Sequence, residues 1–335
     1  MNVSLWVWAL TLGTLLALIL FDLFVVDRGA PREFTLRQAG AWVAFYVALA
    51  GLFGGGLWLV SGGGYAGQFF AGYLTEYSLS IDNLFIFYVI MARFAVPRTS
   101  QHKVLLIGIL IALVMRGAFI AVGAAAIARF EWVFFIFGGF LVWTAIGLAR
   151  SRHDEASEFK ENVLLRWSRR VLHTTDSYDG QKIVTSRGGR RTFTPLLIVM
   201  IAIGSTDLLF ALDSIPAIFG LTKEAYLVFT ANAFALMGLR QLYFLLGGLV
   251  ERLVYLQAGL AFILGFIGVK LILEAAHGYG AHWAPQTPIW LSLTVIGATM
   301  AVTTVASLIK AARDPSALRS PGGKPPGVAA SGAGE

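Results

Sequence analysis

The chain has 335 residues, 57% of them hydrophobic and only 13% charged, against about 25% charged in a soluble domain; that excludes an ordinary soluble fold and points to several membrane crossings. The net charge of +7 does not indicate a nucleic-acid binder, because the basic residues sit in loops between apolar spans. With no cysteine there is no disulfide, thiolate metal site or Cys nucleophile.

Nine apolar stretches approach the ~20 residues that cross a hydrocarbon core: 5–26, 41–60, 68–92, 104–128, 131–149, 194–219, 225–249, 254–274 and 288–310. The first has no Lys or Arg ahead of it, so it reads as a retained helix and not a cleaved signal. Asp22, near its inner end, is either a helix-end acid at the interface or a functional group. A Gly-rich link at 61–64 separates the second and third spans. The third holds Glu76, Asp82 and Asn83, with Ser78 and Ser80 between them. The fourth holds Arg116 and is parted from the fifth only by 128–130.

The segment 151–194 is the one sizeable polar piece. Phe159, Val163, Trp167 and Val171 recur at i, i+4, i+8 and i+12 among Lys160, Arg166, Arg169 and Arg170. That is an amphipathic basic helix, lying on the membrane face or on the protein's own helix ends. Asp179-Gly180 follows, and Gly188-Gly189 suggests a short hairpin. The sixth span holds Thr206, Asp207, Asp213 and Ser214; the seventh holds Asn232 and Arg240. In the eighth, Lys270 and Glu274 stand at i, i+4 and are expected to pair. His277 and His282 in the next loop could collect metal, although isolated loop histidines usually do not. The tail 313–335, rich in Pro, Gly, Ala and Ser, is expected to be disordered.

The expected fold is therefore all-α: a polytopic membrane protein with a transmembrane domain over 1–312 and a cytoplasmic basic insertion at 150–193. Of the 26 Lys and Arg residues, 21 fall in loops on one side of this topology. The positive-inside rule then puts the N-terminus outside and the C-terminus in the cytoplasm.

Spans three and six are the informative ones. An ionised acid at bilayer depth costs at least about 2.5–3.5 kcal/mol, so such acids are rarely idle. Glu76 to Asp82 and Asp207 to Asp213 are the same step of six residues. Three crossings separate the two helices, so they run in opposite directions, as in an inverted-topology repeat. Counted from the outer end, Glu76 should share a tier with Asp213. Asp82 should share one with Asp207, ~9 Å deeper.

A step of six residues turns a helix by about 600°, leaving the two acids of each pair some 120° apart. Four carboxylates would meet only if the helices were broken. Pro216 is placed to disrupt span six, and Gly72 and Gly204 to loosen the opposite ends. Carboxylates, Asn83, Ser78, Ser80, Ser205, Thr206 and Ser214 are hard oxygen donors, suited to Mn²⁺, Ca²⁺ or Mg²⁺. Without a cation some of the acids should carry protons, so binding would release them. Cation/proton exchange is a natural mechanism. Asn232 is a further ligand or an inter-helix hydrogen bond, and Arg116 and Arg240 are expected to balance intramembrane acids. The plain alternative is that the acids pair with these arginines and with hydroxyls to hold helices together.

EYSLSIDNLFIF from Glu76, TDLLFALDSIPAIFGLT from Thr206, the DLF at Asp22 and YDGQKIV from Tyr178 resemble the signatures of the TerC family of integral membrane proteins. That family is named for tellurium resistance and is similar in architecture to the LysE-type exporter superfamily. The resemblance implies a manganese exporter or manganese homeostasis protein of the bacterial inner membrane, linked in some members to tellurite or alkaline stress. It implies Glu76, Asp82, Asp207 and Asp213 as the functional acids, with Asn83 and Ser214 as motif neighbours.

The leading expectation is a secondary transporter exporting a divalent cation, Mn²⁺ foremost, with protons and lipids as further partners, no nucleic acid and no bound cofactor. No GxxxxGK[ST] is present to suggest ATP-driven pumping. The absence of HExxH, and of His near any membrane Ser, argues against an enzyme. The alternative is a non-transporting scaffold, insertion factor or stress-complex protein acting through the 150–193 loop.

Overall fold

The computed structural model describes residues 3–21, 36–130, 132–150, 172, 174–175, 178–187, 190–246, 253–281, 283–285 and 287–313. Asp22, the basic helix expected at 159–171, His282 and the tail from 314 lie outside the described residues.

The chain is built from long apolar helices: α1 (Leu5–Phe21), α2 (Leu36–Ser61), α3 (Gly63–Arg93), α4 (Arg98–Arg129) and α5 (Val133–Arg150), then a small hairpin of β1 (Val184–Arg187) and β2 (Arg190–Phe193). After it come α6 (Pro195–Phe219), α7 (Ala225–Met237), α8 (Leu239–Leu246), α9 (Leu256–Gly278) and α10 (Ile289–Arg313). Six of these, α2, α4, α5, α6, α9 and α10, are long and apolar enough to cross a membrane. Helix α3 is long enough at 31 residues, but its own polar residues keep it outside that set. The outer surface is apolar: Leu5, Trp58, Leu59, Val114, Trp143, Phe262 and Val302 point outward. Glu76, Arg116, Asp207 and Arg240 are buried. This reversal of the soluble pattern is what a lipid solvent requires.

Two expected boundaries move. Helices α2 and α3 are parted by Gly62 alone, at φ 94°, a left-handed conformation that glycine adopts without a Cβ penalty. The seventh span is interrupted at Gly238, which separates α7 from α8. Span six, in contrast, is not broken. Pro216 lies inside α6, near its end, and the turn closes normally beyond it: Gly220 N–H donates to Pro216 O at 3.0 Å and Leu221 N–H to Ile218 O at 2.8 Å. A proline one turn from a helix end removes one bond where few remain to be lost.

Helix α3 is the centre of the bundle, contributing Ala66 and Phe69 to one apolar cluster, Ala71 and Leu79 to a second, and Leu84, Phe87 and Ile90 to a third. A Cβ on Gly72 would stand 3.1 Å from Ile218 of α6 and 3.3 Å from Ala231 of α7. Helices α5 and α9 approach more closely still: a Cβ on Gly138 would meet Gly268 O at 2.7 Å, and one on Gly268 would meet Gly138 O at 2.8 Å. Small residues let backbones touch where lipid offers no hydrophobic drive for helix pairing.

The hairpin is anchored on the ends of α3 and α4 through the segment that leads into it. Tyr178 OH donates to Phe94 O at 2.7 Å, Ser100 Oγ to Gly180 O at 3.1 Å and Lys103 Nζ to Gln181 O at 2.8 Å. Its strands pair antiparallel, Val184 with Phe193 and Arg187 with Arg190. That register agrees with the short hairpin the sequence suggested; Gly188 and Gly189 themselves lie outside the described residues. Asp179 supports the approach by accepting from Thr185 Oγ1 at 2.8 Å.

Candidate cation site

Helices α3 and α6 cross the bundle in opposite directions. Gly72 lies against Ile218, and four residues further along α3 Glu76 shares a guanidinium with Ser214, four residues back along α6. Seven residues turn a helix by about 700°, nearly two full turns. Glu76, Ser80 and Asn83 therefore stand on one face of α3, and Asp207, Ala211 and Ser214 on one face of α6. All six are buried. Asp82 and Asp213, each one residue short of that repeat, are only partly buried.

Arg116 joins the two faces. It reaches in from α4, with 1% of its side chain exposed. Nε donates to Asp207 Oδ2 at 3.0 Å and Nη2 to Asp207 Oδ1 at 2.9 Å, a two-pronged grip on one carboxylate. Nη1 donates to Glu76 Oε1 and, at 3.2 Å, to Ser214 Oγ. One guanidinium thus binds three helices at mid-bundle. Two carboxylates facing one guanidinium leave a formal charge of −1. The fork geometry suits arginine and not lysine.

The expected four-carboxylate centre does not form. Asp213 accepts from Thr144 Oγ1 of α5 at 3.3 Å, on the side of α6 where Leu209 and Leu212 are exposed. Among the described residues, no group of three or more His, Cys, Asp or Glu could hold a metal ion. The reason is the 120° offset: with α3 and α6 continuous, only the first acid of each pair can face the other helix. The inward place two turns on is taken by Asn83 and Ser214. Ser78 and Ser205, counted as donors from the sequence, spend their hydroxyl hydrogens on their own helices, at Leu74 O (2.6 Å) and Ala202 O (3.1 Å). Thr206 is buried beside Asp207.

Three buried groups next to this centre make no hydrogen bond: Glu76 Oε2, Ser80 Oγ and both amide atoms of Asn232. Such atoms cost about 1–3 kcal/mol each when left unsatisfied, more if charged.

On the side away from the hairpin, a cavity of about 520 Å³ is lined by Gln68, Thr222, Lys223, Glu224, Lys270 and Glu274. The expected pairing of Lys270 with Glu274 is replaced: Glu274 pairs with Lys223 at 3.6 Å, and Lys270 Nζ donates to Ser292 Oγ at 3.2 Å. Thr222 Oγ1 donates to Gln68 Oε1 at 2.6 Å. Gln68 and Glu76 are two turns apart, ~12 Å, with the contact of Gly72, Ile218 and Ala231 between them. His277 bonds Ala284 O at 3.1 Å.

Fold and site together define a polytopic integral membrane protein with an ionic centre where the buried acids of α3 and α6 face one another. The chain belongs to the integral membrane protein TerC family, whose model matches residues 61–315. It is 48% identical over 312 residues to an uncharacterized membrane protein of Mycobacterium tuberculosis, Rv2723, covering 90% of this chain and 78% of that one. A membrane protein of Myxococcus xanthus is 40% identical over 309 residues, with 92% and 93% covered. Alx of Escherichia coli (strain K12), named as a proposed membrane-bound redox modulator, is 38% identical over 290 residues, with 84% and 88% covered. No solved structure matches the chain.

Proposed function

We propose that the chain is a secondary transporter, not an enzyme, that exports a divalent cation through the Glu76–Asp207 centre, with Mn²⁺ as the best-fitting cargo. The observation that carries this reading is the pair of buried carboxylates on opposed helices, one of which, Glu76, keeps Oε2 buried with no hydrogen bond. Carboxylates of Glu76 and Asp207 with the oxygens of Ser80, Asn83 and Ser214 make a hard, mixed oxygen set. Two charges with neutral donors suit Mn²⁺ or Mg²⁺ better than a dedicated Ca²⁺ cage. Asp82 and Asp213 stand on the adjoining helix faces, where they receive and pass on the ion. The lysine- and arginine-rich loops on the hairpin side support reading that side as the cytoplasmic one. The cavity around Gln68, Glu224 and Glu274 is then the external mouth, separated from the centre by Gly72, Ile218 and Ala231. Exchange against protons fits a site whose acids must be neutralised when the ion leaves.

The test is ⁵⁴Mn²⁺ uptake into inverted membrane vesicles. Uptake driven by a proton gradient, outcompeted by unlabelled Mn²⁺ more strongly than by Mg²⁺ or Ca²⁺, is expected. Vesicles that match a protein-free control remove the transport reading and favour a scaffold acting through the 150–193 loop.

A further inference from the structure

At the proposed cation site, the cation present is the protein's own. Arg116 uses three of its five N–H donors on the two carboxylates that the transport reading assigns to the metal. A dication bound by both carboxylates and the guanidinium in its present place would put three positive charges among two negative ones, in a region where charge repulsion is poorly screened. Both cannot occupy the carboxylates together.

The guanidinium needs somewhere to go, and the structure supplies an acceptor. Asn232 lies on α7, buried at 1% exposure, with both amide atoms making no hydrogen bond. Helix α7 packs beside Arg116: Phe229 Cε2 is 3.5 Å from where a Cβ on Gly117 would stand. Asn232 is one turn further along the same helix. A buried amide with neither atom paired is costly, and it stands next to the one helix whose arginine must move. We propose that Arg116 is a tethered counter-cation: it holds Glu76 and Asp207 together when no metal is bound, and yields them to the incoming dication by moving to the Asn232 carbonyl. The guanidinium then balances one of the two acids in the empty carrier, which leaves a single negative charge for a proton to neutralise. This inference rests on the transport reading above and adds to it the residue that competes with the cargo.

The experiment is Mn²⁺ binding by calorimetry to purified full-length protein in lipid nanodiscs, for wild type, R116K, N232L and the double variant. R116K keeps a positive charge, so the acids stay balanced and the fold is retained. It loses the two-pronged grip on Asp207, and Mn²⁺ should bind roughly tenfold tighter, the equivalent of about 1.4 kcal/mol. N232L removes an amide that makes no bond, so folding is preserved, and it should weaken Mn²⁺ binding several-fold. In the double variant the two effects should be strongly non-additive, because Asn232 acts through the side chain at 116. R116K binding more weakly than wild type, or as tightly, overturns competition. Additive effects make Asn232 a direct metal ligand and overturn its role as acceptor. No Mn²⁺ binding by any of the four proteins sinks the metal site itself, and this inference with it.

Discussion

Asp207→Asn and Glu76→Gln each reduce the apparent affinity for transported Mn²⁺ by at least about 100-fold, while Asp213→Asn stays within roughly tenfold of wild type; removing an outer-shell partner alone costs 10–100-fold in metal sites. The ranking follows from helix geometry. Glu76 and Asp207 face one another across α3 and α6 and share a guanidinium. Asp213 is turned toward Thr144 of α5, about 120° away around the helix axis. The measurement is the Mn²⁺ concentration dependence of initial uptake, with protein in each vesicle preparation quantified and its monodispersity checked in detergent. Equal losses at Asp207 and Asp213 would mean that the ion sits between all four acids, in a conformation with one of the helices opened.

Arg116→Leu lowers stability by about 3–5 kcal/mol, the usual cost of stripping one partner from a buried ion pair. The cause is not the lost attraction alone. Glu76 and Asp207, both buried, would be left facing each other with no counter-charge. Neutralising them removes the penalty, so the triple variant E76Q/D207N/R116L should recover most of the loss, measured as the thermal unfolding midpoint in detergent. The single and triple variants must differ for this to hold. If R116L unfolds with the wild type, the guanidinium does not balance these acids. If the triple variant stays as unstable as R116L, the cost comes from lost packing of the long arginine side chain.

The membrane class was legible because apolar runs of bilayer length need no tertiary information. That α3 and α6 carry the buried ionic centre was legible for the same reason: acids in such runs are expensive enough to mark themselves. The arrangement of the acids was only half legible. The six-residue step attracts the eye because it joins like residues, yet it is the seven-residue step that keeps side chains on one helix face. Glu76 with Asn83 and Asp207 with Ser214 obey it, and all four are buried, whereas Asp82 and Asp213 are only partly so. Reading the motif by periodicity and not by charge would have found the inward face.

Arg116 was expected to balance intramembrane acids, or to pair with them and so hold helices together, but the acids it would meet were not specified. Its place depends on α4 packing against α6, where a Cβ on Gly108 would stand 2.7 Å from Ile203, and no local pattern states which helices become neighbours. The breaks were misjudged in a related way. Pro216 is a strong breaker in isolation, but at the end of α6 it has little left to break. Gly238, a weaker signal, interrupts the seventh span just ahead of Arg240 and Gln241, which are both buried. The partner of Glu274 is likewise set by the approach of the α6–α7 turn, which brings Lys223 to it.

The Glu76–Asp207 centre is tested most directly by an anomalous-scattering map at the manganese absorption edge, from crystals of the protein grown with Mn²⁺. A peak within coordination distance of both carboxylates, with the Arg116 side chain displaced from Asp207, is the expected result. A peak at Asp82 or Asp213 with Arg116 still gripping Asp207, in a protein that transports Mn²⁺, contradicts it.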